Sequence, residues 1–307
     1  MALLEQHTSL PQGPKRALYE SDEIPEVERP DDLDDVSRET GSLPRPTSPR
    51  VIAVVNQKGG VGKTTSAVNL AAGLGFGGLN VLLVDLDPQG NASTAVGGEH
   101  RNSEPGTYEV LLDSDRIADH VQVSPEAPNL KVLVATMDLA AAEIELVSVV
   151  SRETRLKRAI DAYVAENDVD YVLIDCPPSL GILTVNAFVA ARELLIPIQC
   201  EYYALEGLSQ LQRSISMVQA NINPDLVLRT VLLTMFDGRT RLSSDVASQV
   251  RQFFPGETME TVIPRSVRIA EAPSYGQTVL TYQPASAGGQ AYLAAAEELA
   301  RRGAEQD

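Results

Sequence analysis

VIAVV (51–55) runs into NQKGGVGKTT (56–65) and then into SAVNLAAGL (66–74). A β-branched run, a glycine-rich turn and an Ala/Leu-rich segment in that order predict strand, loop and helix. This is the context that a phosphate-binding loop requires. Glycines let backbone N–H groups curl around phosphate oxygens, and the start of the helix adds partial positive charge. In such a loop Lys63 reaches the β- and γ-phosphates of a nucleotide, and the Thr64 hydroxyl ligates Mg2+. The usual pattern has glycine five residues before Gly62, where this chain has Gln57, so the match is to a variant with an additional lysine at 58.

Outward from this loop, further apolar runs recur: NVLLVDLD (80–87), LKVLVA (130–135), YVLIDC (171–176), ELLIPIQ (193–199) and LRTVLLTMF (228–236). Runs this continuously apolar are expected of strands buried on both faces. Between them lie amphipathic or Ala-rich segments at 63–75, 139–166, 180–191, 205–220, 243–254 and 287–302. Strand and helix in alternation predict βαβ units. The expected fold class is α/β, a doubly wound, mostly parallel sheet with helices on both faces.

Two of these strands end in carboxylates. Asp85 and Asp87 close the second run in VDLDPQGNAS, and Asp175 closes the fourth in VLIDCPPS. In an open α/β sheet the ligand crevice lies beyond the carboxyl ends of the strands, so these acids are expected to converge on the loop at 58–65. There Asp87 and Asp175 are expected to hold Mg2+, directly or through water, or to orient the attacking water. Cys176 and Cys200 read as small core residues, and Tyr202 and Tyr203 as residues that pack against a neighbouring helix or line a subunit interface, with packing the favoured reading.

The chain has 307 residues, 43% of them hydrophobic, which places it among globular proteins. Forty-two acids against 25 Lys and Arg give a formal charge of −17, which argues against uniform binding to DNA or to an anionic membrane. Two cysteines and three histidines provide neither a disulfide framework nor a zinc-ligand set, and a reducing cytoplasm fits best. No apolar leader or membrane-length stretch is present in the sequence. Residues 1–49 are Pro-rich and acidic without apolar periodicity, and read as a disordered tail ahead of a single domain at 50–307.

KGGVGKTT with its early lysine, DLDPQGN, DCPPSLG, PIQCEYYALEGL, LLTMFDGRT and VIPRSVRIAEAPSYG together resemble the ParA/Soj chromosome-partitioning ATPases, in the deviant Walker A class of P-loop proteins. The resemblance covers about 51–300. It implies an ATPase converting ATP and water to ADP and phosphate with Mg2+. Lys58 matches the signature lysine that reaches across an ATP-sandwich homodimer to the partner's phosphates. Gly59, Gly60, Val61, Gly62, Lys63, Thr64 and Thr65 match the nucleotide-binding loop. Asp87 matches the residue needed for hydrolysis, and Asp175 the Walker B aspartate. Met235 and Pro264 fall in segments that surround adenine in relatives.

The resemblance further implies that the ATP-state dimer binds nucleoid DNA without sequence preference and is released when a centromere-bound ParB-type partner stimulates hydrolysis. Residues 229–268 hold six arginines and four acids, a basic stretch inside an acidic chain. Arg239, Arg241, Arg265 and Arg268 are the expected DNA contacts. A membrane-cycling ATPase of the MinD kind is the alternative. It needs an amphipathic C-terminus with large apolar and basic residues, and GGQAYLAAAEELARRGAEQD (288–307) is a poor match to one.

Overall fold

In a computed structural model, the structure describes residues 42–100, 104–202 and 208–305. The expected tail falls largely on residues 1–41, and Tyr203 on 203–207, both outside the described residues. Eight strands form one sheet: β1 (Arg50–Val54), β2 (Val81–Asp85), β3 (Gln122–Val123), β4 (Leu130–Leu133), β5 (Tyr171–Asp175), β6 (Glu193–Gln199), β7 (Val227–Phe236) and β8 (Thr258–Pro264). Their order is β3-β4-β2-β5-β1-β6-β7-β8, and every pairing is parallel except the antiparallel edge strand β3.

The side-chain period of two along each strand divides the core. From β1, Ile52 and Val54 face α1 (Lys63–Phe76) and the C-terminal helix α6 (Ala287–Ala304), in one cluster with Leu70, Leu74, Tyr292 and Leu299. Ala53 and Val55 face the opposite layer, with Leu156 and Ile160 of α2 (Arg155–Glu166), Phe188 of α3 (Ile182–Ala190), Leu211 of α4 (Leu208–Asn221) and Val250 of α5 (Arg241–Phe253). Helices thus cover both faces of the sheet. The arrangement is doubly wound, as the alternation of runs and helical segments predicts.

Three details differ from the sequence reading. Strands β3 and β8 were not expected: β3 is two residues long, and β8 mixes exposed Glu260 with half-buried Thr261 and Val262 rather than forming a continuous apolar run. The helical segment at 139–166 is broken over 146–154. There Val147, Val149 and Val150 are poor helix formers, the Ser148 hydroxyl donates to the Glu145 carbonyl, and Ser151 adopts φ 55°. The chain is also held to the fold ahead of residue 50. The Leu43 amide donates to the Gly77 carbonyl at 2.9 Å, and Arg45 pairs with Asp168 and Asp170.

Candidate functional site

The carboxyl ends of β1, β2, β5 and β7 meet at the glycine-rich loop. Gly60 and Gly62 adopt φ +73° and +89°, and α1 starts at once with Lys63. A Cβ on Gly62 would come only within 3.8 Å of Thr234, an ordinary contact, so it is the left-handed backbone and not crowding that calls for glycine there. The loop is tied down at three points. The Asn56 amide donates to the Pro197 carbonyl at 2.8 Å, the Lys58 backbone N–H donates to Asn56 Oδ1 at 3.0 Å, and the buried Thr234 hydroxyl donates to the Val61 carbonyl at 2.8 Å.

Lys63 is buried, and its ammonium donates to the Lys58 carbonyl at 3.4 Å. Burial pulls its pKa below the usual lysine range, and the nearby Asp175 and Asp87 carboxylates offset part of that shift. The loop and the two strand-end acids therefore converge as expected. Lys58 is half-buried and makes no salt bridge among the described residues.

Asp85 and Asp175 are both fully buried, with opposite surroundings. Asp85 accepts from the Ser93 backbone N–H at 2.8 Å, the Ser93 hydroxyl at 2.7 Å and the Asp87 backbone N–H at 3.1 Å. Burial still pushes its pKa up to about 6. Neither oxygen of Asp175 has a hydrogen-bond partner. Burial and then Asp85 raise its pKa well above the usual carboxylate range, and Thr64 and Lys63 counter this only in part. A buried carboxylate with two unpartnered oxygens beside a threonine hydroxyl suits a hard divalent cation that also takes oxygens from phosphate and water. Asp87 is half-buried and its Oδ1 accepts from the Gln89 backbone N–H at 3.0 Å, which holds the turn after β2. Cys176 and Cys200 are buried, as expected; burial raises both thiols, leaving them unreactive.

Beside the loop lies a cavity of about 410 Å³, lined by Gly62, Thr65, Thr234, Met235, Ile263, Pro264, Val267 and Tyr292 among others. Met235 adopts φ 52°, a conformation that costs a non-glycine residue on the order of 1 kcal/mol and clusters at ligand sites. Met235 and Pro264, far apart in sequence, meet in one largely apolar wall next to Gly62 and Thr65. Sequence reading missed Thr234, Asn56 and Ser93, which position the loop and Asp85. A polar threonine in the apolar run LLTMF was the available signal for the first.

The four expected arginines lie on or near the segments that follow β7 and β8. Each is paired on the surface: Arg239 with Asp237 (2.9 Å), Arg241 with Asp245 (3.7 Å), Arg265 with Glu201 (2.9 Å) and Arg268 with Glu271 (2.9 Å). Arg229 lies elsewhere, at the amino end of β7, and Arg251 donates to the Glu260 carbonyl at 3.2 Å. Tyr202 is 76% exposed, which does not fit the favoured packing role and is compatible with the interface one.

A family model described as an AAA domain matches residues 49–228. The sporulation initiation inhibitor protein Soj of Bacillus subtilis is 50% identical over 254 residues, 83% of this chain and 99% of that protein. The chromosome partitioning protein ParA of Caulobacter vibrioides is 48% identical over 253 residues, 82% of this chain and 94% of that one. A solved structure described as cobyrinic acid a,c-diamide synthase from Mycobacterium smegmatis, with bound ADP and magnesium, is 39% identical at a TM-score of 0.71, covering 82% of this chain and 94% of its own. The cell division ATPase MinD of Pyrococcus furiosus is 26% identical at a TM-score of 0.66, over 82% and 98% of the two chains. With this loop, these strand-end carboxylates and relatives of this similarity, the chain belongs to the Soj/ParA family of chromosome-partitioning P-loop ATPases.

Proposed function

We propose that this chain is an Mg2+-dependent ATPase whose ATP-bound homodimer holds nonspecific double-stranded DNA, and that a ParB-type centromere-binding partner releases it by stimulating hydrolysis. The observation that carries the reading is the convergence of buried Lys63 on the buried Asp175 carboxylate, neither oxygen of which has a hydrogen-bond partner, at a loop beginning with Lys58. Relatives similar over most of their length bear the name chromosome partitioning protein ParA, and a neighbouring structure holds ADP with magnesium.

In this reading the backbone amides of Gly59 to Thr65 cradle the phosphates, and Lys63 neutralises the β- and γ-oxygens. Thr64 and Asp175 would hold Mg2+, which supplies charge neutralisation at the γ-phosphate when bound. Asp87, on the turn pinned by Gln89, positions the attacking water. Met235 and Pro264 enclose the base in the apolar cavity. Lys58 is anchored by its backbone and leaves its ammonium for the partner's phosphates, so nucleotide charge is offset fully only when the dimer closes. Pairing two weak arginine patches in that dimer raises effective concentration at DNA, which lets an acidic protein bind in one nucleotide state.

The membrane-cycling alternative is disfavoured by α6, which buries Tyr292, Ala295, Ala296 and Leu299 in the core and so has no apolar face to offer a bilayer. Among the described residues no helix is long and apolar enough to cross a membrane. The test is retention on DNA with ATP, ADP or no nucleotide across a salt series. Retention is expected only with ATP and falls steeply with salt. Retention independent of nucleotide would sink the reading, and binding to anionic lipid vesicles in place of DNA would restore the MinD-like one.

A further inference from the structure

At the opposite end of β1 from the phosphate loop, the base of the sheet holds a second polar cavity of about 430 Å³. Its size falls within the roughly 300–1,000 Å³ of small-molecule sites. Arg50, 7% exposed, forms its inner wall. The guanidinium is held in a two-pronged pair with Glu193, in which Nε donates at 2.8 Å and Nη2 closes the second prong. Arg192 and Arg229 stand exposed at the mouth, and neither has an ion-pair partner among the described residues. Asp225 is the other lining acid. With Arg50 and Glu193 cancelling, the cavity keeps an excess of one positive charge in a chain of net −17.

A second observation points at a ligand. The Tyr171 hydroxyl is fully buried against the Arg50 guanidinium with no well-formed hydrogen bond, one layer behind Gly303, which lines the cavity. A Cβ on Gly303 would collide with that hydroxyl and with Arg50 Nη1, so glycine leaves both groups room. Burial raises the Tyr171 pKa, which keeps the hydroxyl protonated. Arg50 Nη1 makes a long contact to the Leu299 carbonyl at 3.5 Å and lies beside the Tyr171 hydroxyl.

We propose that this basal cavity is a binding site, separate from the nucleotide site, for a small phosphate-bearing anion, gripped by Arg192 and Arg229 with Arg50 and Tyr171 behind them. Planar guanidinium forks at the mouth match phosphate oxygens, and the site provides donors where an anion needs them.

The probe is pyrophosphate, titrated by calorimetry into the full chain already saturated with ADP and Mg2+, so that the phosphate loop is filled. One saturable event is expected. The double variant Arg192→Ala/Arg229→Ala, altered only at exposed positions, should weaken it about tenfold or more. Tyr171→Phe, which keeps the ring, should weaken it less. ATP turnover of the double variant without pyrophosphate should match the parent. Absence of saturable heat, or heat unchanged in the double variant, overturns the site. A double variant that binds pyrophosphate normally but loses retention on DNA also overturns it, and assigns the two arginines to a polyanion surface.

Discussion

Asp85 and Asp175 are register partners across the β2–β5 ladder, two buried carboxylates side by side at the carboxyl edge of the sheet. One is satisfied by Ser93 and the turn to Asp87, while the other has no well-formed hydrogen bond and only Thr64 and Lys63 nearby to offset its charge. Their mutual repulsion and burial favour a protonated form in the free protein, and a bound cation reverses that preference.

Binding of ADP with Mg2+ should therefore release a proton. Calorimetry at pH 7 in two buffers of different ionisation enthalpy should give different apparent heats for the parent chain. Asp175→Asn, which has no proton to release there, should lose most of the difference even where some affinity survives. Equal heats for the parent in both buffers would mean that Asp175 is already ionised.

Asp85 gives a stability signature. Its folded pKa, about 6, lies above the ordinary value near 4, so its contribution is fully present at low pH. That contribution is lost as pH rises from about 4 through 6, on the order of 3 kcal/mol at full extent. Asp85→Asn has no such titration. The stability of the variant relative to the parent, from urea unfolding of nucleotide-free protein, should rise over that window and level off above it. A difference independent of pH would refute the assignment.

Much of the site was legible because its parts are local. Strand, glycine-rich turn and lysine lie within fifteen residues at 51–65, and the acids stand at the ends of apolar runs where any parallel sheet gathers its ligand groups. What sequence did not reveal depends on contacts across the chain. The Thr234 hydroxyl reaches Val61 over 173 positions, and the apolar cavity beside the loop exists only where β7 and β8 bring Met235 and Pro264 beside Gly62. What Asp85 does was not legible, since only the Asn91–Ala95 helix, which presents Ser93, makes it a structural anchor. Edge strand β3 and mixed strand β8 lack the continuous apolar pattern by which the other six were read.

Lys58 and Asp87 separate two steps of the cycle. Lys58→Ala should weaken ATP-dependent dimerisation by roughly 2 kcal/mol or more while leaving nucleotide binding by the monomer close to normal. Sedimentation with ATP that shows an undiminished dimer would remove the lysine from the interface.

Asp87→Ala should reduce turnover by about a hundredfold or more and spare ATP binding, because the residue faces the loop without holding it together. Phosphate release at the parental rate would end its assignment to water positioning.

The arginine patch differs from a bare basic surface because Asp237 restrains it. This carboxylate accepts from Arg239 Nε and Nη2 at 2.9 Å each and also feels Arg265, and these contacts hold its pKa down to about 2. Exposed pairs of this kind contribute little to stability, so phosphate can displace the carboxylate at small cost. Asp237→Asn should leave folding nearly unchanged, free Arg239 and add one positive charge per protomer. In the ATP state it should then bind DNA a few-fold more tightly, with a steeper loss of affinity as salt rises. Arg239→Glu with Arg265→Glu should abolish retention while ATP hydrolysis without DNA persists. If the Asp237 variant binds no better and the double reversal still binds, DNA is held by another face of the dimer, and the ion pairs after β7 and β8 are surface structure alone.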